Sequence, residues 1–186
     1  MKILIYLAIS LFAAMTVAGQ GTGVQTVQSV DLDRYSGKWY EVARYPNKFQ
    51  KDCIGNVTAT YSRQPNGRIE VLNECLKSGG KLNSAKGEAK IVDTATNAKL
   101  KVRFAPKFLS AFGFVWGDYW VLDLGADYEY AVVGDPKREY LWILGRNAEM
   151  SDSVYQEILK RIESQGFDPG KLNKTQQGLS SAPVTD

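Results

Sequence analysis

The sequence predicts an all-β protein: an eight-stranded up-and-down antiparallel β-barrel with one C-terminal α-helix packed outside. The first observation behind this prediction is a succession of eight short apolar-rich runs, separated by turn residues at intervals of about 8–12 residues. The second is a single amphipathic segment near the C-terminus. Closing the sheet into a barrel removes its exposed edges, although a β-sandwich fits the same strand count.

The strands are placed by alternation and by turn residues. Asn66-Gly67 is the strongest short hairpin signal in the chain. The clearest alternation falls in the fifth run, where Leu100, Val102 and Phe104 form an apolar face opposite three charged residues. The predicted strands are 38–45, 56–63, 68–76, 86–92, 99–104, 119–124, 128–134 and 139–146.

The helix is predicted over 152–165. Its apolar residues recur at the i, i+3, i+4 and i+7 positions of one helical face, and Gly166 ends the segment. Ser153 with Gln156 three residues later has the spacing of a capping box. The last three strands are apolar on both faces, so the helix is expected to cover their outer face.

Composition excludes several classes of function. The 186 residues are 44% hydrophobic and 23% charged, which fits one globular domain. There is no histidine, so Ser-His-Asp and Cys-His catalysis are excluded, and two cysteines alone cannot build a structural zinc site. We therefore expect no catalytic residue, no metal and no cofactor. The net charge of +3 is interspersed along the chain and predicts no nucleic-acid partner.

The chain divides into four segments: a signal peptide over 1–18, an extended lead-in over 19–30, the barrel domain over 31–175 and a flexible tail over 176–186. Lys2 precedes an apolar run that ends in small residues, which is typical of a cleavable secretory signal. A membrane anchor is the alternative, but the run is shorter than the ~20 residues that a span needs. The mature protein is thus expected in an oxidising compartment.

Alternating strand direction predicts two different ends of the barrel. Trp39, the turn at 125–128 and Arg146 should gather at one end, whereas the longer connections fall at the other. A buried indole needs a partner for its N–H, and a guanidinium can stack on its ring. Arg146 is the expected partner of Trp39; the alternative is an ordinary solvated charge at a strand end.

Three short motifs resemble those of the lipocalin family, in order and in spacing. They are Gly37-x-Trp39-Tyr40-Glu41, Asp127-Tyr128-x-Tyr130-Ala131 and Leu141-Trp142-Ile143-Leu144-Gly145-Arg146. The likeness covers about 30–175 and is greatest to bacterial and apolipoprotein D-like members. It implies an eight-stranded calyx that binds or transports a small hydrophobic ligand, such as a fatty acid or lysophospholipid, in envelope lipid maintenance. Its structural residues here would be Gly37, Trp39, Asp127, Tyr128 and Arg146.

The same resemblance bears on localisation. Bacterial lipocalins are often lipoproteins tethered to the outer membrane, but no cysteine follows the leader of this chain. We expect export across the inner membrane to the periplasm or the outer membrane, without an anchor on an N-terminal cysteine.

Cys53 and Cys75 are expected to form a disulfide at the open end. An oxidising compartment and an even cysteine count favour the bond, and similar bacterial sequences carry the same pair. A simple two-residue turn would put residue 58 across from Cys75, so Cys53 has to fold back to reach it.

Six residues are candidates for ligand contact. Tyr61, Asn73 and Trp142 match residues that line the pocket in apolipoprotein D-like lipocalins. Alternation of strand faces adds Tyr140, Phe104 and Tyr119 near the mouth. For any one of these aromatic residues, Tyr119 above all, ordinary core packing is the alternative.

The connection over 105–117 is unusually aromatic. It holds five large apolar residues, from Phe108 to Trp116. Such residues at an open mouth would cap the cavity, touch a membrane or pair with another subunit. A membrane- or partner-binding protein is therefore one alternative function, a homodimer remains open, and an isomerase using a pocket thiol is a further alternative.

Overall fold

The computed structural model describes residues 23–105 and 112–180. The leader and the end of the tail, 181–186, lie outside these ranges, as do residues 106–111 of the aromatic connection. The elements are α1 (Leu32–Tyr35), β1 (Gly37–Arg44), β2 (Cys53–Arg63), β3 (Ile69–Lys77), β4 (Leu82–Ile91), β5 (Lys99–Arg103), β6 (Gly117–Leu124), β7 (Tyr130–Gly134), β8 (Leu141–Gly145), α2 (Asp152–Ser164) and β9 (Asn173–Lys174).

The sheet closes into an antiparallel barrel, as predicted. Strands β2 to β8 pair in sequence order, and β1 pairs with both β8 and β2. The β1–β2 pairing covers only the lower part of β1, from Gly37↔Tyr61 to Tyr40↔Thr58. Above it, β9 takes the place beside β1, opposite Ala43 and Arg44. The barrel thus has eight strands and one extra strand at its upper seam.

The C-terminal segment continues from β9 across this seam to β2. The Gln176 carbonyl accepts a hydrogen bond from Asn56 N at 2.8 Å, and the Asn56 side chain exchanges two hydrogen bonds with the Leu179 backbone. Gln177 Nε2 donates to the carbonyls of Glu41 and Val57. This differs from the expectation of a flexible tail from residue 176, because the unpaired edges of β1 and β2 hold the segment.

The lead-in also lies against the barrel. Val27 N donates to the Val121 carbonyl at 3.0 Å, and Val30 N donates to the Thr96 carbonyl at 2.7 Å. Asp31 then caps α1 by accepting from the backbone of Asp33. This single turn closes the bottom of the barrel immediately before β1.

Apolar residues form two layers that follow the alternation of the strands. Trp39, Tyr61 and Leu144 belong to the inner cluster, whereas Ile143 belongs to an outer cluster under α2. This explains why β6 to β8 are apolar on both faces. The N-cap of α2 is Ser151, whose hydroxyl accepts from Val154 N. The predicted capping box of Ser153 and Gln156 is therefore wrong. Over residues 23–105 and 112–180, no helix is long and apolar enough to cross a membrane.

Candidate functional site: the barrel interior and its mouth

The closed end is built on Trp39 and Arg146, and the predicted pair is confirmed. The Arg146 guanidinium lies 3.8 Å from the Trp39 ring centroid, and Trp39 is fully buried. Trp39 Nε1 donates to the Tyr35 carbonyl at 2.8 Å. Arg146 also donates to the carbonyls of Ser36, Lys38 and Tyr128, and to that of Arg34. One cation thereby joins two backbone segments, 34–38 and the β6–β7 turn, over the indole.

Gly37 and Tyr128 fit this closure through their backbones. Gly37 has φ +94°, a conformation that favours glycine, and a Cβ there would lie 3.5 Å from Arg146 Nη1. Tyr128 has φ +61° in the β6–β7 turn, and its hydroxyl accepts from Asp31 N at 2.8 Å. Asp127 N donates to Glu129 within the same turn at 3.0 Å. The motif residues therefore lie at the closed end, away from the mouth.

Three tyrosine hydroxyls meet above this floor. Tyr35 Oη lies 2.8 Å from Tyr119 Oη, and Tyr119 donates to Tyr61 Oη, also at 2.8 Å. Tyr119 therefore lies deep in the barrel and not near the mouth as predicted, because it is opposite Leu100 in the register, next to the β4–β5 turn. Tyr35 was missed from sequence because its helical turn gives no signal of where its ring points.

Burial dominates the titration of these tyrosines. It raises the pKa of Tyr61 to about 12, since an ionised phenolate would lose its hydration, while the hydrogen bond from Tyr119 opposes the shift. Burial likewise raises the pKa of Tyr35 and of Tyr119 well above the ordinary value. All three remain neutral hydrogen-bonding groups at neutral pH.

A small cavity lies beside this tyrosine trio. Its volume is about 20 Å³, which is enough for a single water molecule. The lining residues are uncharged: Val30, Leu32, Tyr35, Ser36, Tyr61, Ile69, Val71, Ala89, Leu100, Val102, Tyr119 and Val121. The lower half of the barrel is thus closely packed.

In the upper half of the barrel, the inward-facing residues of β2 to β4 are small. Ala59 is opposite Asn73, and Asn73 is opposite Ala85. Ala85 shares the inward face of β4 with buried Ala89, yet it is exposed to solvent. The Asn73 side chain is half-buried and has no hydrogen-bond partner within residues 23–105 and 112–180. We call the part of the barrel interior lined by Ala59, Asn73 and Ala85 the upper chamber.

The Phe104 ring packs against Gly87 of β4. A Cβ on Gly87 would lie 2.6 Å from Phe104 Cδ1, so the ring occupies the space that a side chain at position 87 would need. Gly87 is opposite Val71, and Val71 is opposite Tyr61. The ring therefore lies over the register row of Tyr61, two strands away from it, and 43% of Phe104 is exposed.

Trp142 and Tyr140 lie together on the β8 side of the mouth. Their rings stack with centroids 5.8 Å apart, and Phe49 packs against Tyr140 at 5.9 Å. Trp142 packs on the inner cluster, as alternation predicted. Its Nε1 donates to Gln50 Oε1 at 2.9 Å, so the β1–β2 connection reaches over the mouth.

A buried ion pair on β1 was not predicted. Glu41 accepts from Arg44 Nη1 at 2.6 Å and from Gln50 Nε2 at 2.7 Å, and also from the Thr175 hydroxyl. Alternation from Trp39 already placed Glu41 on the inner side. The β-bulge between Glu41 and Ala43 shifts the register, so that Arg44 lies opposite Trp142. Only the bulge brings the two charges together.

The predicted Cys53–Cys75 disulfide is confirmed, with the two Cα atoms 5.7 Å apart. Thr58 is opposite Glu74, not Cys75. Two bulges then shift the register to Gly55↔Leu76 and Cys53↔Lys77. This is the fold-back that the sequence required, and it ties the β1–β2 connection to the wall at the mouth.

Trp116 does not lie among exposed aromatic residues at the mouth, where it was expected. It is 7% exposed and packs against the cations of Lys90, Arg103 and Arg68, with Lys90 Nζ 4.4 Å from the ring centroid. Ala89 and Val102 face inward, and each directly precedes one of these cations in its strand. Lys90 and Arg103 therefore lie on the outer face of the barrel. Of the predicted group, Phe112 is 52% exposed; Phe108 and Leu109 lie outside the described residues.

Exposed apolar residues nevertheless gather at the mouth. By strand direction, five of the six large apolar residues that are exposed belong to the open end, within the described parts of the chain: Phe49, Ile54, Leu82, Phe104 and Phe112. The connections at this end, 45–52, 78–81, 104–116 and 135–140, hold six basic and three acidic residues. Those at the closed end, 23–36, 64–68, 92–98 and 125–129, hold two basic and five acidic residues.

Comparison with known proteins agrees with this architecture. Residues 30–177 match the family model of the lipocalin-like domain. The chain is 42% identical to temperature-induced lipocalin-1 of Arabidopsis thaliana, over 83% of each chain. It is 38% identical to the outer membrane lipoprotein Blc of Escherichia coli K12, over 83% of this chain and 84% of that protein.

Solved structures show the same fold at lower identity. Insecticyanin from Manduca sexta superposes with a TM-score of 0.66 at 19% identity, over 87% of this chain and 88% of that one. The closed barrel, the Trp39–Arg146 floor and the family match over 30–177 lead to one conclusion. The chain belongs to the lipocalin family.

Proposed function

We propose that this protein binds and carries a long-chain lipid, a fatty acid or lysophospholipid, in the upper chamber of its barrel, as part of lipid maintenance in the cell envelope. Lipocalins bind small hydrophobic ligands and are generally non-catalytic. The observation that carries the proposal is the inward-facing row of small residues, Ala59, Asn73 and Ala85, of which Ala85 faces inward and is still exposed to solvent.

The polar groups of the chamber suit a lipid with one head group. Its wall offers the Asn73 amide, and Lys48 and Lys51 are exposed on the β1–β2 connection beside the mouth. A mostly apolar site with a few convergent polar groups is typical of ligand pockets. The acyl chain would run along Trp142 and Tyr140, with the anionic head group toward the lysines.

Fatty-acid titration of delipidated protein tests this proposal. We expect saturable quenching of tryptophan fluorescence in the wild type, because Trp142 lines the chamber, and strongly reduced quenching in Trp142→Phe. Trp120→Phe is the matched control, since Trp120 packs in the outer layer. Native mass spectrometry with lipid extraction would identify a co-purified ligand. Absence of saturable binding of every acyl ligand tested would contradict the proposal.

The rim of the mouth favours a second proposal, contact with an anionic membrane. Exposed apolar side chains project from the same end that carries the excess of basic residues. Such a surface combines apolar insertion with attraction to anionic lipids. A lipid carrier of this kind could load and release its ligand at the membrane surface.

Vesicle co-sedimentation tests the rim. Phe49→Ser should weaken binding to vesicles rich in phosphatidylglycerol by roughly tenfold, because a phenyl ring leaves the apolar phase. Val92→Ser is the matched control, since Val92 is exposed to 49% but follows β4 at the closed end. Equal binding of both variants, or equal binding to phosphatidylcholine and phosphatidylglycerol vesicles, would count against docking by the basic rim.

A further inference from the structure

The tyrosine trio contains an unfinished chain of hydrogen bonds. Tyr35, Tyr119 and Tyr61 hold three hydroxyl protons, and the two bonds among them use two. Within the described residues, no other acceptor bonds to any of the three hydroxyls. One O–H donor therefore remains at an end of the chain, beside the deep cavity that all three residues line.

The surroundings decide which partner this donor can take. The cavity lining carries no charged side chain. A carboxylate or phosphate placed there would lose its hydration without gaining an opposite charge, which is strongly unfavourable. Burial raises the pKa of Tyr61 to about 12, so the site offers protonated hydroxyls at neutral pH. An uncharged oxygen satisfies the remaining donor without this penalty.

The position of the trio decides which part of a ligand would reach it. The trio lies on the closed-end side of Phe104, because Phe104 is two inward-facing positions beyond Leu100, the residue opposite Tyr119, in the direction of the mouth. The cavity itself holds about one water molecule in a volume of about 20 Å³. A ligand that enters from the mouth would have to displace the Phe104 ring from Gly87 to approach the cavity. The leading end of an elongated ligand then displaces the water and meets the tyrosines.

We propose that the tyrosine trio is a subsite for an uncharged oxygen, a hydroxyl or carbonyl, at the buried end of a long-chain ligand. The ligand class is thus an acyl or related chain oxygenated at the end remote from its head group. This inference rests on the proposed function, because it concerns the far end of the same ligand. The subsite would add a polar contact to a chamber that otherwise selects its ligand through apolar contacts.

A matched pair of ligands tests the subsite in the full protein. Isothermal titration calorimetry on delipidated protein would compare ω-hydroxydodecanoic acid with dodecanoic acid, which differ only at the buried end. We expect the hydroxy acid to bind roughly three- to tenfold more tightly, the range of one net hydrogen bond. The triple variant Tyr35→Phe/Tyr61→Phe/Tyr119→Phe should abolish this preference, because any single replacement still leaves a free O–H donor on a remaining hydroxyl. Tyr155→Phe, a buried tyrosine in the outer layer, should keep it.

Each outcome decides between the two proposals. Equal affinity of the two acids in the wild type overturns the subsite while leaving lipid binding intact. A preference that survives in the triple variant also overturns it. Failure of both acids to bind overturns the subsite together with the proposed function. The wild-type comparison needs no variant, so it remains decisive if the triple variant does not fold.

Discussion

The two ends of the barrel differ in how their aromatic residues and cations are used. At the closed end, Trp39 is fully buried, and Arg146 stacks on its ring and donates hydrogen bonds to neighbouring carbonyls. At the open end, Phe49 is 69% exposed and nearby lysines face solvent. Aromatic residues and cations thus stabilise the fold at the closed end. At the open end, the same residue types are exposed and available to contact a ligand or a surface. The motifs that identify the family are the ones least available for binding.

The largest effect expected from this comparison is on stability at the closed end. Trp39→Ala should lower the free energy of unfolding by about 3–5 kcal/mol, because it leaves a cavity and removes the platform of Arg146. Urea denaturation, with the slope unchanged, measures the loss. Phe49→Ala at the open end is the control and should stay within about 0.5 kcal/mol. Similar losses for both variants would erase the difference between the ends.

The disulfide tests whether the open end has any structural anchor of its own. Replacing both Cys53 and Cys75 by serine should cost about 2–4 kcal/mol of unfolding free energy, since the bond restricts the unfolded chain. Denaturation of the native protein with and without reductant gives the same comparison without mutation. An unchanged midpoint would mean that the bulged β2–β3 pairing and the C-terminal segment hold the mouth alone.

Alkaline pH should act on the tyrosine trio between the two ends. The pKa of Tyr61 is raised from 10.0 to about 12, so the folded state keeps a proton that the unfolded state loses. The stabilisation is complete below pH 10 and is lost between about pH 10 and 12, amounting to roughly 2–3 kcal/mol. Urea midpoints across this range measure it. Tyr61→Phe should make the pH dependence shallower without abolishing it, since burial also raises the pKa of Tyr35 and Tyr119. An unchanged slope in that variant would contradict the assignment.

Local patterns were enough to predict the strands and the inward faces of the barrel. Period-two alternation predicted that Trp142 faces inward, and strand direction predicted that Arg146 meets Trp39. These predictions succeed because antiparallel strands joined by short turns leave few ways to arrange the ends. The Cys53–Cys75 disulfide was also predicted, from the oxidising compartment, the even number of cysteines and similar bacterial sequences.

Predictions failed where the register departs from simple alternation or where distant segments meet. The bulge after Glu41 brings Arg44 to the inner side, and no periodicity marks it. The prediction that Tyr119 lies near the mouth was wrong, because the stagger between neighbouring strands cannot be derived from the sequence of one strand. Trp116 was expected in the mouth, yet cations from β4 and β5 hold it outside.

By itself, the sequence determined the closed barrel, the covering helix, the disulfide pair and which end is the floor. Those features depend on short-range periodicity, on turn chemistry and on residues whose burial needs one specific partner. Only the tertiary structure decided that Tyr35, Tyr61 and Tyr119 share one hydrogen-bonded chain, and that the C-terminal segment fills the seam between β1 and β2. Both depend on contacts between residues far apart in the chain, whose geometry is fixed by barrel stagger and β-bulges.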